Sequence, residues 1–295
     1  MAKKRRTVTR KGIGTTHTYH GPGRRKRPGV VIRLLRKVPS WGWWLGAGMV
    51  VAGYVWFFYY FFVGPFGFRW RALYGDVSYP EGYEIHGIDI SHHQGRIDWE
   101  ELKDNGSIND CPIRFVMIKA TEGATQTDEN FRDNFYQARE NGFTRGAYHF
   151  YSVHTPAEQQ AWHFIKTVKL ENGDLPPVLD VEPSKAQIQQ MGGPEAMFRH
   201  IRVWLDEVER WTGVKPVLYV NQMFVNNYLA DQPELKRDYR VWIARYSEYK
   251  PDVRLTYWQL CPDGRVAGIQ GEVDINVFNG YQSQFDEFIA NETIQ

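Results

Sequence analysis

Two cysteines, Cys111 and Cys261, are all that the 295 residues contain. So few exclude a disulfide-stapled scaffold, and a chain of this length buries a core without one. Also missing are a G-x-S-x-G elbow, an H-E-x-x-H pair, a Walker loop and a G-x-G-x-x-G fingerprint. Their absence withdraws the sequence support for a serine hydrolase, a zinc protease, a nucleotide hydrolase or a dinucleotide enzyme.

Acidic residues are absent from the first forty positions, which hold 13 of the 36 Lys and Arg; the remainder carries 23 basic against 34 acidic side chains. Charge of either sign is absent from Val38 to Phe68. Within that gap, Trp41–Val63 is a 23-residue apolar run. As a helix it would span roughly 34 Å, enough for a hydrocarbon core of about 30 Å. Trp41, Trp43 and Trp44 at one end and Tyr59 and Tyr60 toward the other suit the interfaces. The run is longer than a signal-peptide apolar core, starts forty residues in and lacks a small-residue cleavage site, so it reads as an uncleaved signal anchor. The basic block before it places the N-terminus in the cytoplasm and the rest in the periplasm or outside the cell. That block needs no nucleic-acid partner, since orientation and anionic lipid account for it. The expected organisation is a basic cytoplasmic tail over 1–40, an anchor in the lipid bilayer over 41–63, a Gly- and aromatic-rich linker over 64–83, and a folded domain over 84–295.

In that domain short apolar runs alternate with amphipathic stretches: "EIHGIDIS" and "WEELKDN", "RFVMIKAT" and "ENFRDNFYQARENG", "GAYHFYS" and "PAEQQAWHFIKTVKL", "PPVLDVE" and "PEAMFRHIRVWLDEVERWTG", then "KPVLYVN". This alternation predicts a parallel sheet built from right-handed crossovers. "ENG" and "WTG" close two helices with Gly just past the last apolar position. After Asn221, "RVWIARY", "LTYWQLC" and "VDINVFNG" leave little helical sequence between the last two. Eight strands suggest a closed barrel with an irregular last part; a doubly wound open sheet is the alternative.

The polar residues favour the barrel, because in it reactive groups gather at strand C-termini. The successive ends offer Asp89 and Ser91, Lys119 and Thr121, Tyr148 and Phe150, Asp180 and Glu182, Tyr219 and Asn221, Trp242 and Arg245, Trp258 and Gln259, Asp274 and Asn276. Alternation along a strand puts Asp180 and Glu182 on one face, and likewise Asp274 with Asn276 and Asp89 with Ser91. Four carboxylates can therefore meet in one mouth. Crowded, buried acids push their pKa values apart, so one keeps its proton near neutral pH, which glycoside hydrolysis requires. On its own D-x-E equally fits a solvated strand end or a helix N-cap; four acids with aromatic neighbours point to a sugar site. His92 and His93 are adjacent rather than at i, i+4, and with His149 they make a poor metal set. No metal and no cofactor is expected.

"HGIDISHHQGRIDW", "FVMIKATEG", "GAYHFY", "PPVLDVE", "LYVN", "YWQ" and "VDINVFNG", in this order, resemble glycoside hydrolase family 25, the N-acetylmuramidase lysozymes. The resemblance covers roughly Glu84 to Gly280. It implies an α/β, modified TIM-like barrel of five strand-helix units followed by three strands, (β/α)5(β)3. It also implies cleavage of the β-1,4 bond between N-acetylmuramic acid and N-acetylglucosamine in peptidoglycan glycan strands, with retention of configuration. On this resemblance Glu182 is the general acid and Asp180 its partner, while Asp89 and Asp274 are the other two acids. The expected substrate contacts are Tyr148, Tyr219, Trp258, Gln259 and Asn276. In such a barrel Cys111 and Cys261 sit at opposite ends, too far apart to bridge. An anchored muramidase facing the wall suits remodelling or turnover of peptidoglycan. A catalytically weak peptidoglycan-binding protein and a glycosidase for another N-acetylated glycan are the competing readings.

Overall fold

A computed structural model describes residues 39–58, 83–244 and 252–295. The chain divides into two units at Val63 and Gly64. In the first unit a 19-residue helix, α1, runs Ser40–Phe58. Among the described residues no helix is long and apolar enough to cross a membrane. Four glycines and the ring-polar Trp and Tyr dilute the apolar character of α1, and it is described only to Phe58. Residues 59–63 of the expected anchor, residues 1–38 of the basic tail and residues 64–82 of the linker lie outside the described residues.

The second unit begins with β1 (His86–Ile90), a 3-10 turn (His92–Gln94), α2 (Trp99–Asn105), β2 (Ser107–Ile108), β3 (Cys111–Glu122), β4 (Gln126–Thr127) and α3 (Phe131–Glu140). It continues with β5 (Thr144–Phe150), α4 (Ala157–Thr167), β6 (Val178–Asp180), α5 (Lys185–Gln190), α6 (Pro194–Thr212) and β7 (Val217–Asn221). Then follow α7 (Gln222–Asn227), α8 (Pro233–Asp238), β8 (Arg240–Ala244), β9 (Leu255–Gly264), β10 (Val273–Phe278) and α9 (Gln282–Glu292). Strands β1, β3 and β5 to β10 close into a barrel, with β1 parallel to β3 on one side and antiparallel to β10 on the other. This is the expected succession of five strand-helix units and three further strands. The strand-rich last part is irregular, as expected, in two ways. Strand β10 runs antiparallel to both neighbours, and α9 follows it.

Period-two alternation sorts the strand residues cleanly. Ile88, Val116, Ile118, Ala147, Leu179, Val181, Leu218, Val220, Val241 and Ile243 point outward and pack beneath the helices. Phe115, Met117, Tyr148, Val178, Val217, Tyr219, Trp242 and Tyr257 point inward and fill the barrel. Gly87 makes room for that filling: a Cβ there would lie 2.3 Å from the Phe115 ring. Outside, α6 starts with Pro194 at its first turn and ends at Gly213, whose φ of 74° is the left-handed cap that glycine supplies. Its buried residues Met197, Ile201, Trp204, Leu205 and Val208 recur at helical spacing, as an amphipathic helix over a sheet requires.

Helix α9 closes the barrel's lower end. Phe285 and Phe288 insert among Phe115, Tyr257 and Phe278, with Phe288 centred 6.1 Å from the Tyr257 ring and 5.6 Å from that of Phe278. Glu292 pairs with Arg240, and the amide of Ile294 donates to the Asp174 carbonyl at 3.0 Å. Cys111 and Cys261 are not bridged. Phe288 is 3% exposed, so Phe288→Ala removes a whole buried ring. It should lower the unfolding free energy by about 3–5 kcal/mol, read from urea denaturation.

Candidate active site

The upper mouth of the barrel holds a cavity of about 360 Å³ lined by Asp89, Tyr148, Asp180, Glu182, Tyr219, Trp242, Gln259 and Asp274, among others. Strand register brings these together. Asp89 lies opposite Asp274 across the β1–β10 pair, Asp180 beside Tyr219, and Tyr219 beside Trp242. The four expected acids thus share one cavity.

A chain of buried hydrogen bonds orders the acids on the β1 side. The Trp242 indole N–H donates to Asn276 Oδ1 at 2.8 Å. Because an indole can only donate, Asn276 is forced to turn its Nδ2 away, and that group donates to Asp89 Oδ2 at 2.8 Å. Gln259 is oriented the same way: its Oε1 accepts from the Tyr219 hydroxyl at 3.0 Å. Its Nε2 then donates to Asp89 Oδ2 at 2.9 Å and to Asp274 Oδ1 at 3.1 Å.

Burial drives all four carboxyl groups toward their protonated forms. Asp89 is raised to about 6, held back by the two amide donors and pushed further by Glu182. Asp274 is raised to about 9, by burial first and then by the charges of Asp89 and Glu182. Asp180 is pushed well up by burial and by Glu182, against the opposing pull of Lys119; its Oδ1 is buried without a hydrogen-bond partner. Glu182 is raised by burial. Around them the Tyr148 phenol is pushed far up by burial and by the acids, so it stays a neutral donor. A site that stores protons on carboxyl groups beside aromatic rings can protonate a leaving oxygen and stabilise a developing cation.

Of the expected contacts, Tyr148, Tyr219 and Gln259 line the cavity and Asn276 supports it from beneath. Trp258 does not. Adjacent residues on a strand face opposite ways, and with Gln259 turned inward Trp258 packs in the outer core, its ring 5.7 Å from that of Tyr83. Asn221 instead caps α7 by accepting from the Phe224 amide at 2.8 Å, and Thr121 meets His149 at 2.7 Å on the outer face. Arg245 lies outside the described residues. The three histidines do not converge: His149 is held by Thr121 and Gln160 and lowered to about 3 by burial, His92 is bonded to Asp128, and His93 lines the cavity. His93 and Gln94 were not singled out as cavity residues. The signal for Gln94 was the S-x-x-Q capping pattern of Ser91 to Gln94, which fixes the turn after β1.

The profile described as Glycosyl hydrolases family 25 matches residues 88–269. The chain is 39% identical to an uncharacterized protein, YegX, of Escherichia coli O157:H7, over 72% of this chain and 76% of that one. It is 31% identical to Lysozyme M1 of Streptomyces globisporus, over 66% and 68%. The solved structure of a family 25 glycosyl hydrolase from Bacillus anthracis is similar at a TM-score of 0.60 and 31% identity, covering 71% of this chain and 95% of that one.

The raised acids tie stability to pH. Asp274 binds a proton more tightly folded than unfolded, so the stability it leaves intact is fully present below its ordinary value of 3.8 and is lost as pH rises through about 9. Asp274→Asn keeps an acceptor for Gln259 and abolishes that titration. The melting temperature of the variant relative to the parent should therefore climb from pH 4 to pH 9, by about 3 °C or more, as scanning calorimetry would read.

Proposed function

The chain belongs to glycosyl hydrolase family 25 and is a glycoside hydrolase, and from that premise we propose that it is a muramidase. Its substrate is the glycan strand of peptidoglycan, cut at the β-1,4 bond between N-acetylmuramic acid and N-acetylglucosamine. The observation that carries this reading is the meeting of Asp89, Asp180, Glu182 and Asp274 in one cavity. The names of similar proteins support it, Lysozyme M1 of Streptomyces globisporus and an N,O-diacetylmuramidase of Arthroderma benhamiae among them.

In this reading Glu182, pushed by burial toward its protonated form, gives its proton to the glycosidic oxygen as the bond to C1 breaks. The carbonyl oxygen of the sugar's own 2-acetamido group attacks C1 from the other face. Asp180 accepts a hydrogen bond from the acetamido N–H, which favours its ionised form just as positive charge develops on the acetamido group. Water then opens the cyclic intermediate, losing its proton to Glu182, and the configuration is retained. Asp89 and Asp274, bridged by Gln259, hold the charge balance of the pocket, and the neutral phenol of Tyr148 offers a hydrogen bond to the sugar.

Glu182→Gln should lower kcat on purified peptidoglycan by about 10²–10⁴-fold, the worth of a positioned acid. Mass spectrometry of the parent's digest should show reducing muramic acid ends. Reducing glucosamine ends would identify a glucosaminidase, and undiminished activity in Glu182→Gln would remove that residue from the acid role.

We further propose that residues 41–63 anchor the domain in a bilayer with the N-terminus cytoplasmic and the catalytic domain periplasmic or extracellular, where it remodels the cell's own wall. What supports this is the uncharged run from Val38 to Phe68 after 13 basic residues. The full chain should stay in the membrane pellet through alkaline carbonate washing, whereas a chain starting at Gly64 should appear in the supernatant. A full chain released by carbonate would refute the anchor.

A further inference from the structure

Strand β3 is 12 residues long, and its last residues, Thr121 and Glu122, pair on one side with His149 and Phe150 of β5 and on the other with Thr127 and Gln126 of β4. Strand β4 takes no part in closing the barrel, yet the hairpin that it forms is tied down at two further points. Asp128, its carboxylate fully buried, accepts from the His92 amide at 2.8 Å and meets the His92 ring nitrogen Nδ1 at 2.9 Å. His163 of α4 donates from Nε2 to the Gln126 carbonyl at 2.9 Å.

Between hairpin and barrel mouth lies a second cavity of about 230 Å³, lined by His92, Lys119, Glu122, Gln126, Thr127, Asp128 and Glu129. Lys119 lines both this cavity and the catalytic one. Its ammonium is 2.7 Å from Glu122 Oε2, on the side-cavity wall, and 4.8 Å from the centre of the Phe150 ring, on the catalytic wall. Lys119 is therefore pinned at the partition, and the two cavities adjoin across it. The side cavity falls below the roughly 300 Å³ of a ligand pocket in its own right, which suits an annex to the larger one.

The linings differ in kind. Tyr148, Phe150, Tyr219 and Trp242 give the catalytic cavity ring faces for a sugar. Only an imidazole ring lines the side cavity; otherwise it offers an amide, a hydroxyl, three carboxylates and an ammonium. Lys119 offsets Glu122 and His92 engages Asp128, which leaves Glu129 to attract a positive group. This is a lining for peptide amides and a free amine.

We propose that the side cavity binds the peptide carried on the lactyl ether of the muramic acid residue, with Lys119 at the crossing from sugar to peptide. The inference rests on the muramidase reading of the catalytic cavity. It makes the hairpin a specificity element: strands with peptides are preferred over bare strands, and Gln126 and Glu129, both exposed on the hairpin side, carry part of that preference.

The test compares kcat/KM on peptide-bearing glycan strands with that on strands stripped of peptide by an amidase, for the full chain and for Gln126→Ala and Glu129→Lys. Thermal melting of each variant checks that it is folded. The parent should prefer the peptide-bearing strands, and the variants should lose about tenfold of that ratio, the size of one or two hydrogen bonds, one of them to a charge. A parent that cleaves both strands, with the ratio unchanged in both variants, overturns the peptide site while leaving the muramidase reading intact. A parent that cleaves neither strand overturns both.

Discussion

Much of the mouth of this barrel depends on one donor that cannot accept. The Trp242 indole fixes which way Asn276 faces, and Asn276 with Gln259 then directs two amide donors onto a single oxygen of Asp89. In a low-dielectric pocket those donors favour the ionised form of Asp89. Burial raises Asp89 only to about 6 against those donors, while Asp274, directly across the ladder, is raised to about 9 by burial and by the charges of Asp89 and Glu182. The acids differ because their neighbours differ, and the neighbours are locked by packing within the barrel.

That locking extends downward. Tyr219 and Trp242 stand with ring centres 4.6 Å apart, and Trp242 is 6.4 Å from Tyr257, which in turn meets Phe115, Phe278 and Phe288. The rings that carry hydrogen-bonding groups at the top merge into a plug below made mostly of phenylalanine rings around Tyr257, so the catalytic floor is continuous with the core. Helix α9 completes the plug and protects the apolar end from water.

Much of this was legible because side-chain alternation is strict. Asp180 with Glu182, and Asp274 with Asn276, could be placed on common faces from spacing alone, and strand-helix alternation ordered the first five units. The same rule shows why Trp258 and Gln259 could not both face the sugar: adjacent positions diverge, and choosing between them needs the register of β9 against β10, which pairs Gln259 with Asn276. The direction of β10 was hidden because an inward-outward pattern reads identically forwards and backwards. Lys119 was visible as a strand-end residue, but its place between two cavities depends on a hairpin whose second strand has two residues, too short to leave a periodic signal. The apolar run after the basic tail was plain in composition, whereas what surrounds such a helix is not encoded in its periodicity.

The reversed direction of β10 has a mechanical consequence. Asp89 and Asp274 are cross-strand partners in an antiparallel ladder, so their spacing is set by the interstrand repeat of about 4.8 Å, a length the loops above cannot alter. Those loops can be exchanged, lengthened or decorated without changing the distance between the two strands that carry this acid pair. The gauge of the pair is thus held by backbone hydrogen bonds, while its titration still answers to what the loops lay over it, Glu182 included.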